Sequence, residues 1–198
     1  MRQAARLVVT VAALGLLVTG CTDDPAPVET TAASTPSPTP SPSATPSPVP
    51  TPAAATLPAR PEAMSTPSAD GAAAAATYFM TALYPYAYAT GDTAEWESMS
   101  APECRLCSGF RDKVAEMVTS GETIDSGSIT VDYAFGTEIR ADEWYSAELQ
   151  INQGEATRRD ATGTVVSTSP GGRFRVAVAM TWADTWIIDA VDIDPVDA

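Results

Sequence analysis

The chain has 198 residues, with 25 acidic against 11 basic side chains, a formal charge of −14 and no histidine. A surface of that sign repels phosphate backbones, which argues against nucleic acid as a partner. Without histidine, imidazole metal ligands and the usual serine-hydrolase triad are missing, and any acid–base chemistry falls to carboxylates and tyrosines.

Residues 1–20 begin with a short basic stretch, Arg2 and Arg6, followed by an apolar run from Leu7 to Val18. That run has signal-peptide length and is too short to remain as a bilayer-spanning helix. It ends in Leu17-Val18-Thr19-Gly20-Cys21. Small residues just before a cysteine resemble the lipobox of bacterial lipoproteins. The resemblance implies diacylglycerol on the Cys21 thiol, cleavage before it, and a location on the extracytoplasmic face of the cell membrane. Two or three palmitate-type chains on one residue anchor stably where a single chain does not. Cleavage leaves 9 basic residues (11 less Arg2 and Arg6) against 25 acidic, a charge of −16. Residues 21–60 then read as the lipidated cysteine plus a spacer, with proline at 25, 27, 36, 38, 40, 42, 46, 48, 50, 52 and 58. Such a segment buries too little apolar surface to offset its ordering entropy, and in polyproline form it reaches on the order of 100 Å.

Residues 61–198 read as one globular domain. Asp70-Gly71 opens a helical run that ends at Gly91, with Phe79, Leu83, Tyr86, Ala87 and Thr90 recurring near the helical period. Pro85 predicts a kink or interruption in it. Asp92 with Glu95, and Ser100 with Glu103, have the spacing of helix caps. They predict a short helix carrying Trp96 and Met99 inward, then a third helix to Gly121. The apolar face of that third helix is Cys107, Phe110, Val114, Met117 and Val118. Beyond Gly121 the period falls to two, at Ile129-Val131-Tyr133-Phe135 and Tyr145-Ala147-Leu149-Ile151. A short strand near Val165, a turn at Pro170-Gly171-Gly172, a strand from Phe174 to Trp182 and a last strand from Trp186 to Ile193 complete an antiparallel meander. Helices grouped before strands make the class α+β, with N-terminal helices packed on a curved antiparallel sheet.

This order, ending in Trp182-x-x-x-Trp186, resembles the nuclear-transport-factor-like cone, which also houses ketosteroid isomerase. At finer grain, Tyr86-Ala-Tyr-Ala-Thr-Gly-Asp92 followed by Ser100-Ala-Pro-Glu-Cys-Arg-Leu-Cys107 is similar to a family of uncharacterised actinobacterial lipoproteins. The first resemblance implies a concave sheet that holds a small apolar ligand or a cell-envelope protein. Neither implies an activity or a cofactor.

With Cys21 consumed by lipid, Cys104 and Cys107 are the remaining thiols. An oxidising compartment favours a structural disulfide between them. The alternative is a redox accessory motif, although C-x-x-C after a helix cap differs from the strand-then-motif order of thioredoxin-like sites. Zinc lacks further ligands. The acidic tail, Asp184, Asp189, Asp192, Asp194 and Asp197, lacks the turn glycine and bidentate glutamate of a calcium loop and reads as protection of an edge strand. Tyr78, Tyr84, Tyr86 and Tyr88 with Asp92, Asp132 and Glu148 are the materials for an isomerase- or dehydratase-like enzyme, but no catalytic spacing joins them. The leading expectation is therefore a non-enzymatic tethered binding or accessory domain.

Overall fold

The computed structural model describes residues 55–196. The leader, Cys21, the spacer to residue 54 and Asp197 lie outside the described residues. Residues 55–60, which composition assigns to the spacer, carry no helix or strand but are tied to the domain. The Tyr78 hydroxyl donates to the Pro58 carbonyl at 2.8 Å, and Arg60 pairs with Glu95 at 2.6 Å.

Helix α1 (Ala69–Tyr78) starts one residue earlier than Asp70, because the Ser68 hydroxyl accepts the Gly71 N–H at 3.0 Å and caps it. It runs into a π-helical turn (Phe79–Leu83), where the Tyr84 N–H donates to the Phe79 carbonyl, and continues as α2 (Tyr84–Thr90). Pro85 sits in the first turn of α2, so its missing N–H is absorbed by a widened turn. That extra residue rotates the following face. Ala87 and Tyr88 are buried, whereas Tyr86 is half-buried and Thr90 exposed, which corrects the face expected from a single helical period.

The Asp92 carboxylate accepts the Ala94 N–H at 2.9 Å and starts α3 (Ala94–Ser98), which drives Trp96 inward. Helix α4 (Arg105–Ser120) is capped by Cys104 rather than Ser100, with the Cys104 sulfur accepting the Cys107 N–H at 3.3 Å. Ser100 bridges instead to Ile188 of the last strand. Cys107, Phe110, Val114 and Met117 form the buried face of α4, and Val118, expected with them, is exposed.

The strands form two antiparallel sheets. Strands β2 (Ile129–Arg140), β3 (Trp144–Gln153), β6 (Gly172–Trp182) and β7 (Trp186–Pro195) pair in the order β2-β3-β6-β7. The short strands β1 (Thr123–Asp125), β4 (Ala156–Arg159) and β5 (Val165–Ser169) form a second sheet in the order β1-β4-β5. The long β3–β4 and β5–β6 segments pass from one sheet to the other through Gly154 and Pro170-Gly171. A side chain at 171 would meet the Gln153 carbonyl at 2.3 Å, so this corner accepts only glycine. The alternation pattern predicts a single meander. The corner divides it where the backbone at 171 lies against Gln153 and Gly154 with no room for a Cβ atom.

Strand β2 also departs from simple alternation. The pairing shifts register between Val131 and Tyr133, so Asp132 is an extra residue and the inward face changes parity. Val131 still points toward the core, opposite Ile151. Beyond the bulge, Tyr133 and Phe135 turn outward, 39% and 51% exposed, and Gly136 takes the place facing α1. Unbroken alternation from Ile129 would put both aromatics on the face of Val131.

The inner face of β3 and β6 supplies Tyr145, Leu149, Val176, Val178 and Met180, all buried against the helices. From the helices, Phe79 stacks on Trp96 with centroids 3.7 Å apart, and Phe110 lies 4.3 Å from the same indole. Trp186 packs edge-on against Tyr145 at 5.0 Å. Each such ring contributes roughly 2 kcal/mol or more by leaving water. Both buried indole N–H groups are satisfied, Trp96 on the Cys107 carbonyl and Trp186 on the Met64 carbonyl.

Candidate functional site

The expected site was the concave interior, and there Phe79, Trp96, Met99, Tyr145, Leu149, Met180 and Ile188 pack with essentially no exposure. Ser126 is the single buried polar residue of the described part, and no Asp or Glu among the described residues is buried. One tyrosine–carboxylate pair starts from the core, where the buried Tyr145 donates outward to the exposed Glu138 at 3.1 Å, and two others lie outside it. Tyr86 donates to Asp92 at 3.0 Å and Tyr133 to Glu148 at 2.7 Å, both exposed, while Asp132 accepts from Gln150 and Asn152 on the outward sheet face. The bond to Glu148, ahead of burial, pushes the Tyr133 hydroxyl above its ordinary value. These pairs do not converge on one position where a substrate atom could sit.

Cys104 and Cys107 form a disulfide, with Cα atoms 5.2 Å apart. Both residues are buried, 1% and 2% exposed, and they join the end of the α3–α4 connection to the first turn of α4. Attack on a disulfide needs a thiolate in line with a sulfur. The burial therefore fits a clamp on the start of α4. Among the described residues no cluster of His, Cys, Asp or Glu is arranged to hold a metal ion, and no helix is long and apolar enough to cross a membrane. Asp189 accepts from Thr181 at 2.8 Å, and Asp197 is outside the described residues.

An open cleft of about 470 Å³ lies at the sheet corner. Its helical wall is Tyr84 and Tyr88 of α2 and Lys113 of α4; its floor is Ile124, Ser126, Gln153 and Phe174; its far wall is Thr157, Arg158, Ser167 and Ser169 of the small sheet. The π turn aims Tyr84 and Tyr88 here, and the glycine corner swings the small sheet across from them. A narrower recess of about 80 Å³ adjoins it, sharing Tyr84, Gln153 and Phe174 and continuing between Met80, Ile129, Ile151 and Ile193. The site thus has a polar mouth and an apolar end.

Its charge is opposite to that of the chain. Acidic residues outnumber basic ones more than two to one overall, yet the cleft lining holds Lys113 and Arg158 and no carboxylate. Among the described residues Lys113 has no carboxylate within 4.0 Å, and Arg158 reaches Glu122 only at 3.5 Å. Burial, with Tyr84 alongside, raises the Tyr88 hydroxyl far above its ordinary value, so it stays a neutral hydrogen-bonding group. Tyr84 and Tyr88 were among the residues singled out from sequence. Lys113, Arg158, Ser126 and Phe174 were not, and the one available signal was that Lys113 is the only lysine in the chain. On the outward face of the large sheet, a trough of about 490 Å³ beside Phe135 is floored by alanines and flanked by Glu148 and Asp192, without a cation.

A model of a family of unknown function (DUF6318) matches residues 48–192. No curated protein matches the chain. Among solved structures, the intermembrane space region of the chloroplast protein ARC6 is 14% identical, with a TM-score of 0.45 over 63% of this chain and 97% of that one. An uncharacterized protein with a cystatin-like fold from Caulobacter vibrioides is 9% identical, with a TM-score of 0.39 over 58% and 83% of the two chains.

Proposed function

The chain belongs to the DUF6318 family, whose function is unknown, and from its own residues we propose a lipid-tethered extracytoplasmic domain that binds its ligand at the sheet-corner cleft. In this reading Cys21 carries the lipid, the proline-rich segment sets the distance from the membrane, and the domain acts as a binding or accessory module. The helix-then-sheet order supports a nuclear-transport-factor-like cone whose interior is packed shut, which moves binding to the mouth. The single observation that carries the reading is that contrast. The interior is filled by aromatic and aliphatic side chains, while an open cleft with a polar mouth and an apolar recess stands beside it.

Two measurements test it. Cys21→Ser should release the chain from the membrane fraction into the soluble one, and continued firm membrane association would refute the anchor. Native mass spectrometry of the lipidated chain, released from its own membrane in mild detergent, should show a retained mass. Ser167→Trp places an indole across the cleft from an exposed strand position and should abolish that mass. A retained mass unaffected by Ser167→Trp would move the site elsewhere.

A further inference from the structure

The lining of the sheet-corner cleft narrows what it can bind, and the ligand class inferred from it rests on the cleft being the binding site. It is a basic pocket on an acidic protein. Two cations together with Tyr88, Ser167 and Ser169 line it, and no carboxylate is part of that lining. Like charges spread over the rest of the surface repel an anion in solution, whereas a concave wall bearing the opposite sign concentrates field at its mouth. An acidic protein whose only lysine has no carboxylate within 4.0 Å among the described residues has an ammonium ready to receive an anion. Arg158 is partly satisfied by Glu122 at 3.5 Å, so Lys113 has the greater unspent capacity. Beyond the mouth, the recess between Met80, Tyr84, Ile151 and Phe174 has space for a short aliphatic group and offers it few hydrogen-bond partners.

We propose that the cleft holds an organic carboxylate carrying a short branched apolar group, with the carboxylate on Lys113 and the apolar group in the recess. A free small acid and the C-terminal end of a polypeptide share this chemistry. Lys113 is the specificity-determining residue, since its charge-assisted hydrogen bond distinguishes an acid from its neutral amide.

The test uses the full chain in detergent and isothermal titration with four probes: isovalerate, N-acetyl-leucine, N-acetyl-leucinamide, and an acetylated tripeptide ending in leucine with a free carboxylate. The acids should bind about ten-fold more tightly than the amide, and Lys113→Met should erase that preference while Lys113→Arg restores most of it. Tight binding of isovalerate assigns a free acid as the source, and binding of the tripeptide alone assigns a polypeptide end. Equal affinity for acid and amide, an unchanged preference in Lys113→Met, or no binding of any probe overturns the proposal. Ser167→Trp separates the two levels. If it blocks probes that bind without regard to charge, the cleft stands as a site and the carboxylate reading falls. If it blocks nothing that binds, both fall.

Discussion

Gly136 offers a quantitative test of how the helices are seated on the large sheet. A Cβ built at this position lies 2.0 Å from the Ala69 carbonyl oxygen and 2.8 Å from its carbon. Ordinary contact begins at 3.4 Å, so Gly136→Ala requires the first turn of α1 and the middle of β2 to part by about 1.4 Å. Both obstructing atoms are backbone, and no rotamer change relieves them. The turn being pushed carries the Ser68 cap and leads directly into Ala72 and Ala75, which are fully buried. Overpacking of this kind costs about 1–3 kcal/mol, less roughly 0.5 kcal/mol regained from the stiffer unfolded chain. A net loss near 2 kcal/mol corresponds to a fall in Tm of roughly 6–10 °C for a domain of this size. Gly109→Ala is the matched control. Gly109 lies inside α4 with nothing within 4 Å of its virtual Cβ, so the same chemical change should raise stability by about 1 kcal/mol. Thermal and urea unfolding followed by circular dichroism measure both. A Gly136→Ala variant within about 0.5 kcal/mol of the parent would refute the close approach of α1 to β2.

Replacing Cys104 and Cys107 together by serine opens a four-residue loop, which should cost about 2 kcal/mol on loop-closure grounds and leave cleft binding intact. Because both residues are buried, dithiothreitol should reduce the native disulfide only as the protein unfolds; rapid reduction of the folded chain would revive a redox role. Asp160 tests the β4–β5 connection. Its carboxylate accepts from the Thr162 hydroxyl and from the Thr164 and Thr162 amides, which holds its pKa below the ordinary 3.8. With the folded value lowered, its contribution is fully present above about pH 4 and is lost as pH falls through the still lower folded value. Amide exchange in residues 160–164 should therefore show an extra loss of protection in strong acid, over and above the intrinsic pH dependence of exchange. Asp160→Asn should remove that extra loss, and an identical profile in the variant would count against it.

Much of the architecture was legible because it depends on local pattern. The helices followed from period and from residues such as Asp92, whose carboxylate needs only a neighbouring amide to start a helix. Strands β3 and β6 followed from alternation, and β7 from the turn before Trp186 and the apolar run after it. Where the pattern misled, one residue too many had entered a regular element. The π turn before Pro85 rotated the face of α2 from Thr90 to Tyr88, and the bulge at Asp132 turned Tyr133 and Phe135 from core to surface. A period count passes over such insertions, since each changes phase without changing composition.

Composition and local pattern were enough for the acidic surface, the absence of histidine chemistry, the α+β order, and the pairing of Cys104 with Cys107 once Cys21 is assigned to lipid. Where the chain stays open was settled by long-range packing. Tyr84, Lys113, Arg158 and Phe174 come from four elements, and no local pattern links them. They meet because glycine at 171 lets its backbone lie close against Gln153 and Gly154, where the chain leaves the large sheet for the small one. Packing of Phe79, Trp96 and Met180 then closed the interior. Which space remains after a core is filled depends on contacts among distant residues, and that is why the cleft became visible only in the folded chain.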